Sequence, residues 1–390
     1  MTEVSETRAP AEPRINVMQP WLGEEEVAAA AAVLRSGWVA QGPRVAEFEQ
    51  RFSAAVGAAH GVAVSSCTTA LQLALVVAGI GPGDDVVVPS FSFIATTNVV
   101  VHVGANPVFA DVELATGNLT PATIDPVITP RTRAVIAVDQ GGVPVDIAAI
   151  RSLCDPRGIT VIEDSACAAG SRYRGGPVGA ASEIAAWSFH PRKILTTGEG
   201  GMITTSRSEW ADRARRLREH AMSVSAADRH ASTFAPPEEY LEVGFNFRMT
   251  DLQAAVGIVQ LGRLAEAVES RRSRAAEYAR ALSHRDDIRV VSDPPHGESN
   301  FQSFWIELLD GFPLDREALL AHLASLGVSA RRGIMAAHRQ PAYAAHPHGD
   351  LSVTERLTDR TLILPLFHGM TDHEHGRVVD ALLGASAPGP

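Results

Sequence analysis

The sequence has few cysteines, no excess of basic residues and no long apolar run. Its 390 residues include 3 cysteines without a Cys-x-x-Cys spacing (Cys67, Cys154 and Cys167), which argues against a disulfide framework and favours a reducing cytoplasm. Lys and Arg number 34 against 45 for Asp and Glu, a formal net charge of -11. This balance argues against nucleic-acid binding, so any anionic substrate must be held by a few local cations. No stretch of about 18 apolar residues occurs, and we expect no membrane span.

What the sequence does contain is an alternation of short apolar segments with helical patterns. Between residues 61 and 162, apolar strands alternate with predicted helices. This predicts an α/β fold with a mostly parallel sheet covered by helices on both faces. Such sheets bind ligands where their strands end, so chemistry is expected in the residues that follow each strand.

The ends of the chain have a different pattern. Residues 1–14 carry acids and prolines without an apolar run, and we expect a disordered leader. Residues 250–282 are predicted to form one or two long helices, and the mixed pattern beyond residue 288 predicts a small α+β domain. We therefore expect a large domain over 15–262, followed by a bridging helix and small domain over 263–390. The arginines of the helical segment are interpreted as a solvated face. They are Arg263, Arg271, Arg272 and Arg274.

An acidic pair, Glu163 and Asp164, directly follows a predicted apolar strand. A buried acid at such a place is costly unless it meets a partner. One interpretation is an N-cap for the next helix, which is a common role. The other is a carboxylate that pairs with the protonated pyridine nitrogen of pyridoxal 5′-phosphate (PLP). The pair alone does not decide between them.

Lys193 lies in a turn between two apolar strands, and a glycine-rich stretch over 196–201 follows it. Neither a helical pattern nor a polar surface segment accounts for a lysine at this position. Desolvation is expected to depress its pKa toward a nucleophilic amine. A glycine-rich turn lets the backbone approach a bulky cofactor without Cβ clashes. A surface lysine is the alternative.

Two further strand ends carry residues suited to a flat, phosphorylated ligand. Residues 65–69 (Ser-Ser-Cys-Thr-Thr) stand at a predicted strand-to-helix junction, where free amides and hydroxyls can bind phosphate. Phe93 follows another strand, and its ring can stack on a cofactor. Helix capping by Ser or Thr and a plain core role for Phe93 are the structural alternatives.

Together these segments resemble the DegT/StrS-type sugar aminotransferases, a branch of the fold-type I PLP enzymes. The resemblance runs from about residue 36 to residue 383, and several spaced motifs in the right order make it specific. They are residues 36–38, 81–84, 132–134, 163–164, 188–189 with Lys193, 196–201 and 244–255. It implies a seven-stranded, mostly parallel sheet between helices and a smaller α+β C-terminal domain.

The resemblance also implies a role for individual residues. Lys193 would hold PLP as a Schiff base and move the proton of the donor amino acid, and Asp164 would pair with the pyridinium nitrogen. Amides at Cys67 and Thr68 and the Ser188 hydroxyl would bind the phosphate. In addition, Phe93 matches the position of the aromatic residue that stacks on the ring. Asn246 would reach the phosphate of the neighbouring subunit, which implies a homodimer with shared active sites.

Two cysteines depart from the family pattern. The family often has Gly or Ala where Cys67 stands, and the small side chain should still leave the amide free. Gln or His is common where Cys167 stands, and this residue would contact the cofactor's phenolic oxygen. A thiol offers only a weak hydrogen bond there. A buried, inert Cys167 is the alternative.

Three residues are candidates for substrate contacts. Arg331 and His338 lie in a segment that matches a family region near the mouth of the active site, and Arg248 follows Asn246 by two residues. Their cations could bind a substrate diphosphate, and structural ion pairs are the alternative. Histidines and acids over 346–348 and 372–375 lack the His-Glu-x-x-His spacing, so no metal site is predicted.

The implied activity is transfer of an amino group from an amino acid to a ketone of a nucleotide-linked deoxysugar, with glutamate or glutamine as the expected donor. Such a reaction belongs to amino-sugar biosynthesis for an antibiotic, another natural product or a surface glycan. An acceptor that is a cyclitol ketone is the first alternative. A sugar 3-dehydratase is less favoured because those relatives have histidine in place of Lys193, and a PLP-binding sensor without turnover is the third alternative.

Overall fold

The computed structural model of the chain describes residues 12–224 and 237–386. Most of the predicted leader, residues 1–11, lies outside these residues. Ile15 is buried, and its N–H donates to Gly327 O over 2.9 Å. The chain is therefore anchored to the C-terminal part of the fold from residue 15 onward.

Strands and helices alternate through the first half of the described residues. The strands are β1 (His60–Val64), β2 (Asp85–Pro89), β3 (Asn106–Ala110), β4 (Thr132–Val138), β5 (Thr160–Asp164), β6 (Arg172–Tyr173), β7 (Gly176–Pro177), β8 (Ile184–Ser188), β9 (Gly201–Thr205), β10 (Ile288–Val290), β11 (Gly297–Glu298), β12 (Phe304–Leu308), β13 (Arg331–Arg332) and β14 (Thr361–Leu364). The α-helices are α1 (Glu24–Ser36), α2 (Pro43–Ala55), α3 (Cys67–Val77), α4 (Ala95–His102), α5 (Pro121–Ile124), α6 (Ile147–Cys154), α7 (Ser208–Leu217), α8 (Asp251–Gly262), α9 (Leu264–Leu282), α10 (Arg316–Ser325), α11 (Ser352–Arg360) and α12 (Asp372–Leu383).

Seven strands form the main sheet, in the order β1-β9-β8-β5-β4-β2-β3. Strands β3, β2, β4, β5 and β8 run parallel, and β9 is antiparallel to both of its neighbours. The carboxyl ends of β1, β2, β5 and β8 therefore lie along one edge of the sheet. The predicted mostly parallel seven-stranded sheet is confirmed.

Apolar side chains cover both faces of this sheet. In β2, Val87 belongs to one buried cluster, and Val86 and Val88 belong to the cluster on the opposite face. Successive side chains of a strand point to opposite faces, so a strand buried on both faces must be apolar throughout. This explains why the strands are continuous apolar runs in the sequence.

The C-terminal part has its own sheet and its own apolar cluster. Strands β10, β12, β14 and β13 form a four-stranded antiparallel sheet. A third cluster, which includes Tyr278, Phe304 and Leu382, packs against it. The predicted α+β character of this part is confirmed, while the boundary between residues 262 and 263 stays a prediction. None of the helices in residues 12–224 and 237–386 has the length and apolarity needed to cross a bilayer.

The predicted solvated arginine face between residues 250 and 282 is wrong. Arg271 is only 2% exposed and donates to the carbonyls of Phe301 and Gln302, and Arg263 and Arg274 form ion pairs with side chains of other elements. The spacing of the arginines matched a charged helix surface, but neighbouring loops cover that surface. A periodic pattern alone does not reveal this covering.

Several element boundaries also differ from the predictions. In the mixed pattern beyond residue 288, Val328 pairs with Ile15 in an isolated bridge, and strand β13 covers only Arg331–Arg332. Helix α4 begins at Ala95, so Phe93 stands in the preceding loop. Strand β5 continues through Asp164, so this residue ends the strand instead of following it.

Candidate active site

The candidate site lies at the edge where the parallel strands end. Asp164 is the last residue of β5, Ser188 is the last residue of β8, and Lys193 follows in the loop between β8 and β9. Helix α3 begins at Cys67, three residues beyond the end of β1. The chain thus brings an acid, a hydroxyl, an amine and a helix amino terminus to one place, where open α/β sheets bind their ligands.

Lys193 is the only lysine in the 390-residue sequence. Its Nζ lies 3.0 Å from Cys167 Sγ, and its backbone N–H donates to His190 O over 2.8 Å. If a lysine of this chain forms a covalent bond with a cofactor, that lysine must be Lys193. The sequence alone shows that there is one lysine, but the prediction for Lys193 was based on the surrounding motif.

The pKa of Lys193 does not follow the prediction of a depressed value. Burial lowers the pKa, but the contact with Cys167 raises it. Cys67 and Asp164 raise it as well, so the net pKa of Lys193 lies above its ordinary range. The prediction considered desolvation alone and left out neighbours that favour the charged ammonium.

Asp164 is 4% exposed and keeps part of its hydrogen-bonding capacity. Thr96 Oγ1 donates to Oδ2 over 2.9 Å, and Ala166 N–H donates to Oδ1 over 3.2 Å. The Cys67 thiol lies 4.0 Å from Oδ1, which is a weak interaction. Burial raises the pKa of Asp164, while Thr96, Ala166 and Lys193 oppose this rise. Such a carboxylate would gain from a cationic partner.

The amino terminus of α3 offers backbone amides to a ligand. Ser66 caps the helix by accepting the Thr69 N–H over 3.2 Å, and the amides of Cys67 and Thr68 are left without an intrahelical acceptor. The backbone of Gly201 packs closely against this turn, since a Cβ at this position would lie 2.4 Å from Ser66 O. Capping and a free pair of amides thus occur together here.

The other predicted cofactor residues differ in their surroundings. Ser188 is half-buried, and its Oγ lies 3.5 Å from the His190 amide. Phe93 is 61% exposed, so it is not a core residue. Asn246 is exposed on a segment that pairs with Glu219. An exposed side chain is what a contact with a second subunit would require.

Cys167 is not the buried, inert thiol of the alternative interpretation. It is half-buried, and its sulfur faces the amine of Lys193. Burial raises the pKa of the Cys67 thiol well above its ordinary value, as do the nearby Asp164 and Cys167, while Lys193 lowers it. Cys67 is therefore a neutral thiol at neutral pH.

The three predicted substrate residues are not equivalent. Arg248 is half-buried beside the end of β1, and Arg331 is exposed on β13; within the described residues neither guanidinium has a hydrogen bond or an ion pair. His338 is 5% exposed. Its Nδ1 is 2.7 Å from Ser90 Oγ, and its Nε2 is 3.3 Å from Glu355 Oε1. Both ring nitrogens are engaged within the protein, and the substrate contact of His338 stays a prediction.

Sequence reasoning missed three residues that support the site. Thr96 orients Asp164, Asn300 contacts the loop of Cys167, and Gln302 contacts the loop of Lys193. Thr96 had a weak signal, as a polar residue that follows a strand end by a few positions. Asn300 and Gln302 had none, because they lie more than 100 residues from their partners in sequence.

The residues present fit PLP. The buried Asp164 carboxylate has acceptor capacity for a pyridinium N–H, and the amides of Cys67 and Thr68 can bind a phosphate. The Lys193 amine lies near both groups, since Cys67 and Asp164 each raise its pKa. The fold and this arrangement define a PLP-dependent transferase of fold type I.

A sequence profile of the DegT/DnrJ/EryC1/StrS aminotransferase family matches residues 20–383, and the chain belongs to this family. It is therefore a PLP-dependent aminotransferase, and solved members of the family are known in PLP and PMP (pyridoxamine phosphate) forms. The resemblance inferred from the sequence motifs is confirmed.

Three solved structures are similar to nearly the whole chain. The aminotransferase TlmJ from Streptoalloteichus hindustanus is 37% identical with a TM-score of 0.87, over 94% of this chain and 97% of that chain. DesV of S. venezuelae, solved with a ketimine intermediate, is 34% identical with a TM-score of 0.86, over 95% and 98%. DesI, solved with its TDP-sugar product, is 29% identical with a TM-score of 0.86, over 96% and 93%.

Proposed function

We propose that this aminotransferase transfers the amino group of glutamate or glutamine to a ketone of a nucleotide-linked deoxysugar. The observation that carries the proposal is the meeting of the only lysine with a buried carboxylate and a free helix amino terminus at one sheet edge. Similarity to DesI, which was solved with a TDP-sugar product, supports a nucleotide sugar as the acceptor.

Each residue of the candidate site has its own role in the proposed reaction. When bound, PLP supplies an electron sink for the carbanion at the donor Cα. Lys193 Nζ is the group that holds and moves the donor's Cα proton. Asp164 holds the ring nitrogen in its protonated state, and the amides of Cys67 and Thr68 with the Ser188 hydroxyl bind the phosphate. Phe93 stacks on the ring, and Cys167 lies beside the amine.

The proposal includes a homodimer and a diphosphate site. The exposed Asn246 reaches the cofactor phosphate of the second subunit. Arg248 and Arg331, which have no side-chain partner among the described residues, supply cations for the substrate diphosphate. His338 would reach the substrate only by giving up its contact with Ser90 or Glu355. The free cysteines agree with a reducing cytoplasm as the proposed location.

An amine-transfer screen tests this function. The purified enzyme is incubated with L-glutamate or L-glutamine and a panel of 3-keto and 4-keto nucleotide sugars, and amino-sugar products are measured by mass spectrometry. We expect transfer to at least one nucleotide sugar, and competitive inhibition by the matching nucleoside diphosphate. In Lys193→Ala the visible absorbance of lysine-bound cofactor and turnover should both be lost.

Two outcomes contradict the proposal. Normal turnover by Lys193→Ala would overturn the role of this residue. Efficient transfer to a cyclitol ketone, without inhibition by any nucleoside diphosphate, would overturn the nucleotide-sugar acceptor while leaving the transaminase chemistry intact.

A further inference from the structure

One side chain outside the site contacts the backbone on both sides of Lys193. Gln302 Nε2 donates to Arg192 O over 2.7 Å, and Gln302 Oε1 accepts the Ile194 N–H over 2.7 Å. These two polar groups belong to the peptide units on either side of the Lys193 Cα. Because they define the φ and ψ angles of Lys193, the two hydrogen bonds restrict its backbone conformation.

A second side chain, two residues earlier, contacts the loop of Cys167. Asn300 Nδ2 donates to Cys167 O and Ala169 O, both over 2.8 Å. Asn300 is fully buried, and its Oδ1 accepts the Gln302 N–H over 2.7 Å. The two side chains therefore hold both loops whose reactive atoms meet at 3.0 Å, the amine of Lys193 and the sulfur of Cys167.

The backbone between these side chains is itself restrained. Phe301 has a φ of 48°, in the left-handed region that non-glycine residues rarely adopt. Arg271, on α9, donates from Nε to Phe301 O over 2.9 Å and from Nη2 to Gln302 O over 2.8 Å. A strained residue persists only where its surroundings hold it, and Arg271 supplies that support.

Arg271 has no carboxylate partner among the described residues, since its contacts are these two carbonyls and the Met18 sulfur. Burial lowers its pKa to about 10. Burying a guanidinium without a counterion is costly. Because two of its three contacts are with this turn, the turn has a structural importance that its position before β12 does not suggest.

We propose that residues 300–302, here called the clasp, set the position of the Lys193 amine, with Gln302 as the positioning residue. Asn300 fixes the Cys167 loop, Gln302 fixes the Lys193 loop, and Arg271 locks the clasp in its strained conformation. The assignment rests on the proposed role of Lys193, since only then does the position of its amine matter for catalysis.

The clasp is tested with Gln302→Ala and Gln302→Glu. The alanine variant removes both hydrogen bonds, whereas the nearly isosteric glutamate keeps an acceptor for Ile194 N–H and loses the donor to Arg192 O. The matched control is Arg272→Ala. Arg272 lies next to Arg271 and bonds Ser299 O over 2.6 Å and Asp293 over 2.8 Å. Its guanidinium also lies 5.6 Å from the ring of Phe301 in the clasp, but it makes no hydrogen bond to either loop.

Amide hydrogen exchange of the peptide spanning residues 190–197 is measured in each holoenzyme by mass spectrometry. Gln302→Ala should speed exchange about tenfold, as expected for the loss of hydrogen bonds to this loop, and Gln302→Glu should speed it less. Arg272→Ala should leave it unchanged. In Gln302→Ala, kcat should fall about 10-fold to 100-fold while donor KM changes less than about threefold, because the amine is misplaced without loss of a binding group.

Unchanged exchange in Gln302→Ala would overturn the clasp, and so would an equal effect of Arg272→Ala. The exchange measurement needs no assumption about catalysis, so it separates the clasp from the proposed function. If Lys193→Ala kept full activity while Gln302→Ala changed exchange as expected, the function would fail and the structural role of the clasp would stand.

Discussion

Two buried aspartates stand at opposite edges of the main sheet. Asp164 ends β5 and is 4% exposed, and Asp85 begins β2 and is 1% exposed. Asp85 accepts hydrogen bonds from Thr129 over 2.6 Å, Asn106 over 2.9 Å and Arg131 over 3.2 Å. Asp164 has Thr96 and one backbone amide as its donors.

The pKa values of the two carboxyl groups shift in opposite directions. Burial alone raises both. At Asp85 the three donors outweigh burial and lower the pKa, whereas at Asp164 burial prevails and the pKa is raised. The carboxylate of Asp85 is satisfied within the protein, and that of Asp164 is left able to accept a further cationic donor. This difference in unused hydrogen-bonding capacity separates a structural aspartate from a candidate functional one.

The presence of a cavity does not distinguish the functional aspartate from the structural one. A cavity of about 520 Å³ opens beside Asp85, lined also by Arg131, Tyr343 and His346. Its acid is already paired with Arg131, and its His346 donates from Nε2 to Pro107 O over 2.6 Å. A cavity whose polar groups already have partners is a weak indication of a functional site.

The largest expected effect comes from Asp164→Asn. An amide cannot neutralise a protonated ring nitrogen, so kcat should fall about 100-fold to 1000-fold, in the range seen when one electrostatic group of an active site is removed. The free energy of unfolding should change little or rise, because a buried carboxylate is replaced by a neutral group. Steady-state rates and urea unfolding of the holoenzyme check both parts. Wild-type rates in this variant would contradict the assigned role of Asp164.

The matched substitution at the other edge, Asp85→Asn, should have the opposite profile. It weakens the hydrogen bonds from Thr129 and Asn106 and the ion pair with Arg131, so unfolding free energy at pH 7 should fall by about 1–3 kcal/mol. The folded pKa of Asp85 is lowered, so wild-type stability from this group is present above the unfolded pKa and is lost as pH falls through the folded one. The difference between variant and wild type should therefore shrink in acid.

Activity is the second readout for Asp85→Asn, and kcat should stay within about twofold of wild type because this edge holds none of the proposed catalytic groups. A loss of kcat like that of Asp164→Asn, without a loss of stability, would remove the contrast between the two aspartates.

Glu163→Gln should change stability only toward alkaline pH, and it refines the comparison within β5. Burial raises the pKa of Glu163 to about 7, although Ser182 and Gly179 donate to the carboxylate and oppose the rise. Because the folded pKa lies above the unfolded value, wild-type stability falls as pH rises from about 4.5 to 7. The variant does not lose stability over this pH range, because a glutamine side chain does not ionise. It should be more stable than wild type by about 3 kcal/mol at pH 8 and by less than about 1 kcal/mol at pH 5.

Urea unfolding at pH 5 and pH 8, at one protein concentration, measures this effect. Glu298→Gln, at an exposed position of β11, is the control and should show no pH-dependent difference. A Glu163→Gln variant that is less stable than wild type at pH 8 would show that the carboxylate is stabilising in its charged form.

Much of the fold was predictable because its signals are local. Continuous apolar strands separated by helical patterns predicted the parallel sheet, and the family motifs predicted its seven strands and its ligand edge. Two elements were missed for different reasons. Helix α7 has a helical pattern, since its buried Trp210, Ala214 and Leu217 recur at helical spacing among charged residues. Strand β14 is a short apolar segment between a helix and a proline and had no clear pattern.

The residues of the candidate site could be predicted, but their pKa values and their burial could not. Lys193, Asp164 and the turn at Cys67 could be named because each follows a strand in an unusual sequence context. The raised pKa of Lys193, the enclosure of His338 and the burial of Arg271 could not, because each depends on which side chains meet across long sequence distances.

The sequence by itself determined the class of the protein and, through its only lysine, the one side-chain amine available for a lysine-bound cofactor. The tertiary structure decided how that amine is held. Cys167 faces it, Gln302 binds the peptide groups on both sides of it, and Asp164 keeps spare capacity nearby. The physical reason is that pKa and position depend on distances of a few ångströms between residues far apart in the chain, and no local pattern encodes those distances.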